Sequence, residues 1–314
     1  MKKLISVLLI CMMFVLTACG NTADEVKDNS EQTENVSEET TKTKHWSEYE
    51  NSMRVLAFNV FYQNVEERKD NVIDLILKQD PDVMLLQEVS VEWIPHLQAF
   101  MSEHGYSYYG YGRYGSEMSD TDVKNGDQFV PILWKTDKYD LVDSGHFWLS
   151  DTPEVQSAAW FDGTTSEFPR CNNWVILKEK ATGIEFVATS VHTAPGEDGR
   201  VRTKSCELIS YMINEIRGDR MAILGGDWNM QLTDDAYYAI TEGGGFFDLR
   251  GVAEEADKGG SFNAWGKRAE GEFAFGDHIF VSENVAAKNF VVVDDRYNGE
   301  HISDHNPLFT ELYY

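Results

Sequence analysis

The chain has 314 residues, 42% of them hydrophobic and 12% aromatic, and carries 53 acidic against 27 basic side chains for a formal net charge of −26. That apolar content suffices for one large core or two modest ones. The charge, with no cluster of lysine and arginine to offset it, argues against long polyanions such as duplex DNA as partners and suits small solutes better.

Lys2 and Lys3 open the chain, an apolar run follows from Leu4 to Leu16, and Thr17-Ala18-Cys19-Gly20 comes next. A basic start, a short apolar stretch and small residues before a cysteine make a secretory signal, too short to span a membrane. The cysteine matches the cleavage point of a bacterial lipobox. Residues 1–18 are therefore expected to be a lipoprotein signal peptide. Cys19 is expected to carry the lipid that anchors the mature protein outside the cytoplasm. From Asn21 to Lys44, seven acids stand against three lysines, and Val26 and Val36 are the sizeable apolar groups. Such a segment cannot bury enough surface to fold, so residues 19–48 read as an acidic disordered tether and 49–314 as the globular domain. Cys171 and Cys206 remain once Cys11 and Cys19 are accounted for, and the sequence leaves their pairing open.

Arg54 to Phe58 reads as a buried strand that delivers Asn59. Between Glu66 and Lys78, the apolar positions Val72, Ile73, Ile76 and Leu77 fall at helical spacing, and Asp80-Pro81 stops the pattern. Asp82 to Gln87 is a second strand ending in Glu88. A strand, helix, strand unit makes the two strands parallel, with Asn59 and Glu88 together at their carboxyl ends, the edge where ligands bind in open sheets. Phe129 to Trp134 and Phe147 to Ser150 look like strands or strand ends. Cys171 to Lys178 and Ile184 to Val191 follow, the second delivering His192. Arg200 to Arg217 has the apolar spacing of a helix. Met221 to Leu224 is a short buried strand broken by Gly225-Gly226, beyond which Asp227 and Asn229 point one way and Trp228 the other. Asp277 to Val281, Phe290 to Val293 and a last strand through Phe309 complete the pattern, with Ser303-Asp304-His305 before the last. Strands and helices mixed along one continuous pattern define an α/β domain with helices covering stacked sheets.

Asn59, Glu88, His192, Asp227, Asn229, Asp277, Asp304 and His305 thus share one kind of position, the end of an apolar strand. Eight buried polar heads would each need a partner, which a plain core does not supply. His45, His96, His104, His146 and His301 belong to no such pattern and are expected on surfaces or loops. Trp148, Trp160, Phe161 and Trp174 are expected in the core.

The pieces Phe58-Asn59-Val60, Leu86-Gln87-Glu88-Val89, Val191-His192-Thr193, Gly226-Asp227-Trp228-Asn229, Asp277-His278-Ile279-Phe280 and Ser303-Asp304-His305, in this order and spacing, resemble the endonuclease/exonuclease/phosphatase family over nearly all of residues 53–314. Gly145 to Ser150, Thr152-Pro153 and Arg170 before Trp174 resemble its deadenylase and nocturnin branch. The resemblance implies a four-layer sandwich of two packed mixed β-sheets flanked by helices. It also implies a metal-dependent hydrolase that cleaves a phosphodiester or phosphomonoester by attack of water. By the same resemblance Glu88 binds a divalent cation, usually Mg2+ with Mn2+ as the alternative, beside Asn59. Asp304 binds a second metal or orients the phosphate, and His305 held by Asp277 activates the water. Asp227 positions that water and rivals His305 as the base. Asn229 and His192 donate to phosphate oxygens, and Arg170 clamps substrate. The substrates implied are nucleotide-like or other small phosphoesters, with nucleic acid and sphingomyelin as alternatives, and a non-catalytic binding module is the reading from another class. No protein partner is implied.

Overall fold

The structure, a computed structural model, describes residues 44–196 and 198–314; the signal peptide, the Cys19 anchor and most of the tether lie outside the described residues. The described residues form one compact unit. A 3-10 turn, Trp46–Glu48, opens it within the stretch read as tether, and Trp46 packs its ring 5.1 Å from that of Tyr313.

Strand Ser52–Asn59 (β1) leads into helix Val65–Gln79 (α1), which buries Val65, Val72, Leu75 and Ile76 on one face. Asp80 closes the helix in a left-handed conformation and donates its N–H to the Ile76 carbonyl at 2.9 Å. Val83–Gln87 (β2) then pairs parallel to β1, with Asn59 level with Gln87. Helix Ile94–His104 (α2), unanticipated from sequence, buries Ile94, Leu97, Phe100 and Met101; its Pro95 is tolerated because it lies in the first turn.

The remaining main strands are Tyr106–Tyr109 (β3), Ile132–Lys135 (β4), Tyr139–Trp148 (β5), Cys171–Glu179 (β6) and Glu185–His192 (β7). After helix Gly199–Arg217 (α3) come Met221–Asp227 (β8), Asp277–Val281 (β9), Ala286–Val292 (β10) and Leu308–Tyr313 (β11). The stretch expected as one strand over Phe129–Trp134 is two. Gln128–Phe129 pairs with Val89–Ser90 apart from the main sheets, and Pro131, lacking an N–H, separates it from β4.

One sheet runs in the order Glu255–Ala256, β10, β11, β1, β2, β4, β3 and the other Phe247–Asp248, β9, β8, β7, β6, β5. Both are mixed: in the first, β1 and β2 are parallel, as are Glu255–Ala256 and β10, and in the second β7 and β8 are parallel, all other neighbours being antiparallel. Period-2 alternation divides the apolar residues between the faces. Val55, Ala57, Val83 and Leu85 meet Val175, Leu177, Ala188 and Ile223 between the sheets. Leu56, Phe58, Met84 and Leu86 turn outward onto α1 and α2, and Val187, Val191, Ala222 and Leu224 turn onto Cys206, Ile209 and Ile213 of α3. The result is the four-layer sandwich expected from sequence.

Two features tie the sheets together. Gly225 lets them come close, because a Cβ there would lie 2.6 Å from Leu85 Cδ1 of the facing sheet. Just beyond it, Gln87 Nε2 donates to Ser190 Oγ at 3.1 Å and Ser190 Oγ donates to the Leu86 carbonyl at 3.0 Å, a polar link between β2 and β7. Cys171 and Cys206 are both buried free thiols. Trp148 and Trp160 are buried as expected, but Phe161 is 85% exposed, carried outward on the turn between the bridged residues Ala159 and Thr165.

Candidate active site

The eight polar strand-end residues come together at one end of the sandwich. Asn59 closes β1 and Glu88 follows β2; His192 closes β7, level with Asp227 at the end of β8, which is in turn level with Asp277 at the start of β9. Asp304 and His305 lie in the loop before β11, held against β1 by Ser303 Oγ, which donates to the Asn59 carbonyl at 2.6 Å.

Local backbone aims these groups. Glu88 has φ 56° and Asn229 φ 49°, two non-glycine residues in the left-handed region, where strain is stored at functional sites. The Asn229 N–H donates to Asp227 Oδ1 at 3.0 Å in an Asx turn, and its side-chain amide donates to the Thr193 carbonyl at 3.1 Å. Gly226, at φ 147°, is required because a Cβ would lie 2.1 Å from the Val191 carbonyl oxygen.

Asp227 Oδ2 sits at the centre. It accepts from Asn59 Nδ2 at 3.1 Å and stands 3.4 Å from His192 Nε2 and 3.7 Å from His305 Nε2. Asn59 Oδ1 accepts from the Phe61 N–H at 3.0 Å, so both ends of that amide are engaged. His305 Nδ1 lies 2.7 Å from Asp277 Oδ2, which also accepts from Ser261 Oγ. Phe262 packs its ring 4.9 Å from that of His305. Burial pushes Asp227 up to about 7, with Asp277 and Glu88 adding to the effect and His305 opposing it. Burial works against a charged His305, but the Asp277 and Asp227 carboxylates prevail and raise it to about 10. His192 is held well below the usual imidazole range by burial and by the nearby Arg170.

The carboxylates fit a cation. Glu88 Oε2 and Asp304 Oδ1 are buried without a hydrogen-bond partner among the described residues, a costly state that a hard cation relieves. Donor atoms of Glu88, His192 and Asp227 lie within 4.8 Å of one another, as do those of Asp227, Asp277 and His305. Burial, with Glu88 nearby, also raises Asp304.

Arg170 lines a small cleft with Arg113 and His192. The residue is 8% exposed and makes no ion pair among the described residues, and its Nε is buried without a partner. Burial and the like charge of Arg113 lower it to about 10. Arg113 is itself bonded to Gln128 Oε1 at 3.0 Å and lies over the Phe168 ring. Asp227, Glu88 and Glu167 lie near enough to favour its charge but none pairs with it among the described residues, which leaves its fork of N–H groups for an anion. Sequence reasoning missed Arg113, Ser261 and Phe262: Arg113 carries no motif, while Ser261 and Phe262 belong to a short strand-like piece whose neighbours appear only on folding. His278, by contrast, is structural, enclosed and bonded to Asp248 and the Met230 carbonyl.

Two mixed sheets converging on a carboxylate, imidazole and amide cluster define a phosphoester hydrolase scaffold. The chain belongs to the endonuclease/exonuclease/phosphatase family, whose sequence profile matches residues 56–305; its members are phosphoester hydrolases that typically depend on a divalent metal. Among solved structures, an endonuclease/exonuclease/phosphatase from Bacteroides vulgatus is 28% identical with a TM-score of 0.73, over 84% of this chain and 99% of that one. A mannosyl-6-phosphatase from Bacteroides thetaiotaomicron is 28% identical with a TM-score of 0.70, over 83% and 100%. Human nocturnin is 24% identical over 177 residues, 55% of this chain. The matches span 26% and 38% of the length of the curated relatives.

Proposed function

We propose that this protein hydrolyses small soluble phosphoesters with the help of Mg2+, Mn2+ being the alternative ion. The observation that carries the reading is the pair of buried, unpartnered carboxylate oxygens on Glu88 and Asp304 beside the His305–Asp277 dyad. Glu88 and Asp304 hold the cation, with Asn59 flanking it. When bound, it neutralises phosphate charge and stabilises the departing oxygen.

The chain's own groups do the rest. Asp227, raised to about 7 and fixed by Asn59 and the Asn229 N–H, accepts the proton of the attacking water. His305, kept protonated by Asp277, donates to a phosphate oxygen as charge grows there. His192 and Asn229 supply further neutral donors. Arg170, with Arg113 behind it, meets the phosphate from the side of His192. The acidic surface and the relative that is a mannosyl-6-phosphatase support a small substrate over nucleic acid. On sequence grounds the protein works outside the cytoplasm, anchored through a lipid on Cys19.

The test is release of nitrophenol from 4-nitrophenyl phosphate and its bis ester by the purified protein, with Mg2+, Mn2+ or EDTA. Metal-dependent turnover that vanishes in Glu88→Gln supports the reading. Turnover no higher than that of Glu88→Gln in every metal sinks it and favours a binding module.

A further inference from the structure

We propose that the groove beside Glu88 and Asp304 is a subsite for an uncharged, polyhydroxylated alcohol portion of the substrate, a sugar ring, oriented by His301. This rests on the phosphoesterase reading and names the substrate class of that same site.

The groove has a volume of about 830 Å3, between the start of α1, the turn Ala264–Gly266 and the hairpin Tyr297–Ile302. Its lining does not include the proposed cation ligands but is tied to them on two sides. Phe61 follows Asn59 by two residues and donates its N–H to the Asn59 side chain at 3.0 Å. The Ala264 N–H donates to the Asp304 carbonyl at 3.1 Å, so the turn bearing Trp265 hangs from the residue that carries an unpartnered carboxylate oxygen. Phe61, Asn64, Trp265 and Asn298, all on the lining, hold positive φ of 56°, 52°, 59° and 55°. Asn64 and Asn298 adopt this region readily, Asn298 with Gly299 in a two-residue hairpin turn, but Phe61 and Trp265 are bulky residues held there at a cost, and they are the two that meet across the groove.

The lining chemistry selects the occupant. Phe61 and Trp265 meet edge to face at 81°, offering ring surface to a C–H face but no parallel slot for a planar base. Amides of Gln63, Asn64 and Asn71 and carboxylates of Glu67 and Glu300 supply acceptors and donors for hydroxyl groups. The cation at the floor, Arg68, is spent on the carbonyls of Val60, Ile302, Phe61 and Gln63, so it has little left for a second phosphate. A chain of phosphates would face the glutamates instead.

His301, expected from sequence on a surface or loop, lines the groove with Nδ1 held by the fully buried Asp295. Asp295 is fixed in turn by the Ile302 and Ser303 N–H groups, both at 3.1 Å. That leaves Nε2, which makes no hydrogen bond among the described residues, to meet a substrate hydroxyl. His301 is a positioning residue: it orients the alcohol and takes no part in bond cleavage.

The experiment compares phosphate release from mannose 6-phosphate, glucose 6-phosphate, AMP and methyl phosphate by wild type, Trp265→Ala, Trp265→Phe and His301→Gln. Methyl phosphate is too small to reach the groove. The expected result is a kcat/KM at least a hundredfold higher for a hexose 6-phosphate than for methyl phosphate. Trp265→Ala and His301→Gln raise KM for the hexose ester tenfold or more, leave methyl phosphate within twofold, and Trp265→Phe recovers most of the loss. Equal losses on hexose ester and methyl phosphate, or a preference for AMP that Trp265→Ala abolishes, overturns the proposal while leaving a phosphoesterase. If no ester is turned over, the phosphoesterase reading fails instead, and calorimetry with mannose 6-phosphate decides the groove: binding lost in Trp265→Ala supports it, and binding absent or unchanged overturns it.

Discussion

His305 Nδ1 stands 2.7 Å from Asp277 Oδ2 while its other nitrogen faces Asp227 Oδ2 at 3.7 Å, so one imidazole spans two carboxylates of the second sheet. The first contact fixes the ring and its proton; the second directs that proton into the cleft. Asp277→Asn keeps the shape but removes the charge that sustains the imidazolium. The expected outcome is a fall in kcat of about 10²- to 10⁴-fold with KM changed little, measured on 4-nitrophenyl phosphate.

Protons and the cation compete for the same cluster. Asp227 and His305 both have folded values above their unfolded ones, so the metal-free fold binds extra protons and loses stability as pH rises. The Asp227 contribution is lost from its unfolded value near 4 up to about 7, and that of His305 from about 6.5 up to about 10. Below about pH 6.5 His192, held neutral by burial, opposes this trend, so melting in EDTA should show Tm falling with pH between about 6.5 and 9, with a flatter slope near pH 7 in Asp227→Asn. Mg2+ should bind more tightly as pH rises, by up to about tenfold per pH unit for each proton displaced.

Arg170 sets stability against function. Arg170 is buried without an ion pair among the described residues, so Arg170→Met removes an unpaired buried cation at similar volume. The variant should gain about 1–3 kcal/mol in chemical denaturation and lose about 10- to 100-fold in kcat/KM. Inorganic phosphate should inhibit it more weakly in proportion.

Gly226→Ala tests the backbone under Asp227. The added Cβ would lie 2.1 Å from the Val191 carbonyl oxygen at a φ of 147°, so β7 and β8 must separate. Strain alone costs about 1–3 kcal/mol, and the clash adds to it. A clear drop in Tm together with loss of turnover is the expected result.

The layers were legible in the sequence because apolar runs such as Val83–Gln87 end abruptly in a polar head, and because the Val72 to Ile76 spacing has a helical period. The site was legible for the same reason: Asn59, Glu88, His192 and Asp227 stand at or just past strand ends, and parallel pairing brings Asn59 and Glu88 to one edge, whereas Asp304 and His305 lie in the loop before β11. Arg113 was not legible, since it lies in an irregular segment whose approach to Arg170 depends on loop packing. The Trp265 groove draws on three separated segments with no period to read, and Asp295, which holds His301, lies outside every motif. Phe161 shows the opposite failure, in which an aromatic residue type suggests burial and a turn overrides it.

Asn59 and Glu88 ride on one sheet and His192, Asp227 and Asp277 on the other, with Gly225 against Leu85 and Gln87 against Ser190 setting the gap. The sandwich therefore acts as a calliper whose jaws carry the two halves of the reaction centre. Bulk added deep in the interior, far from any ligand, should widen the jaws and silence the protein before it melts.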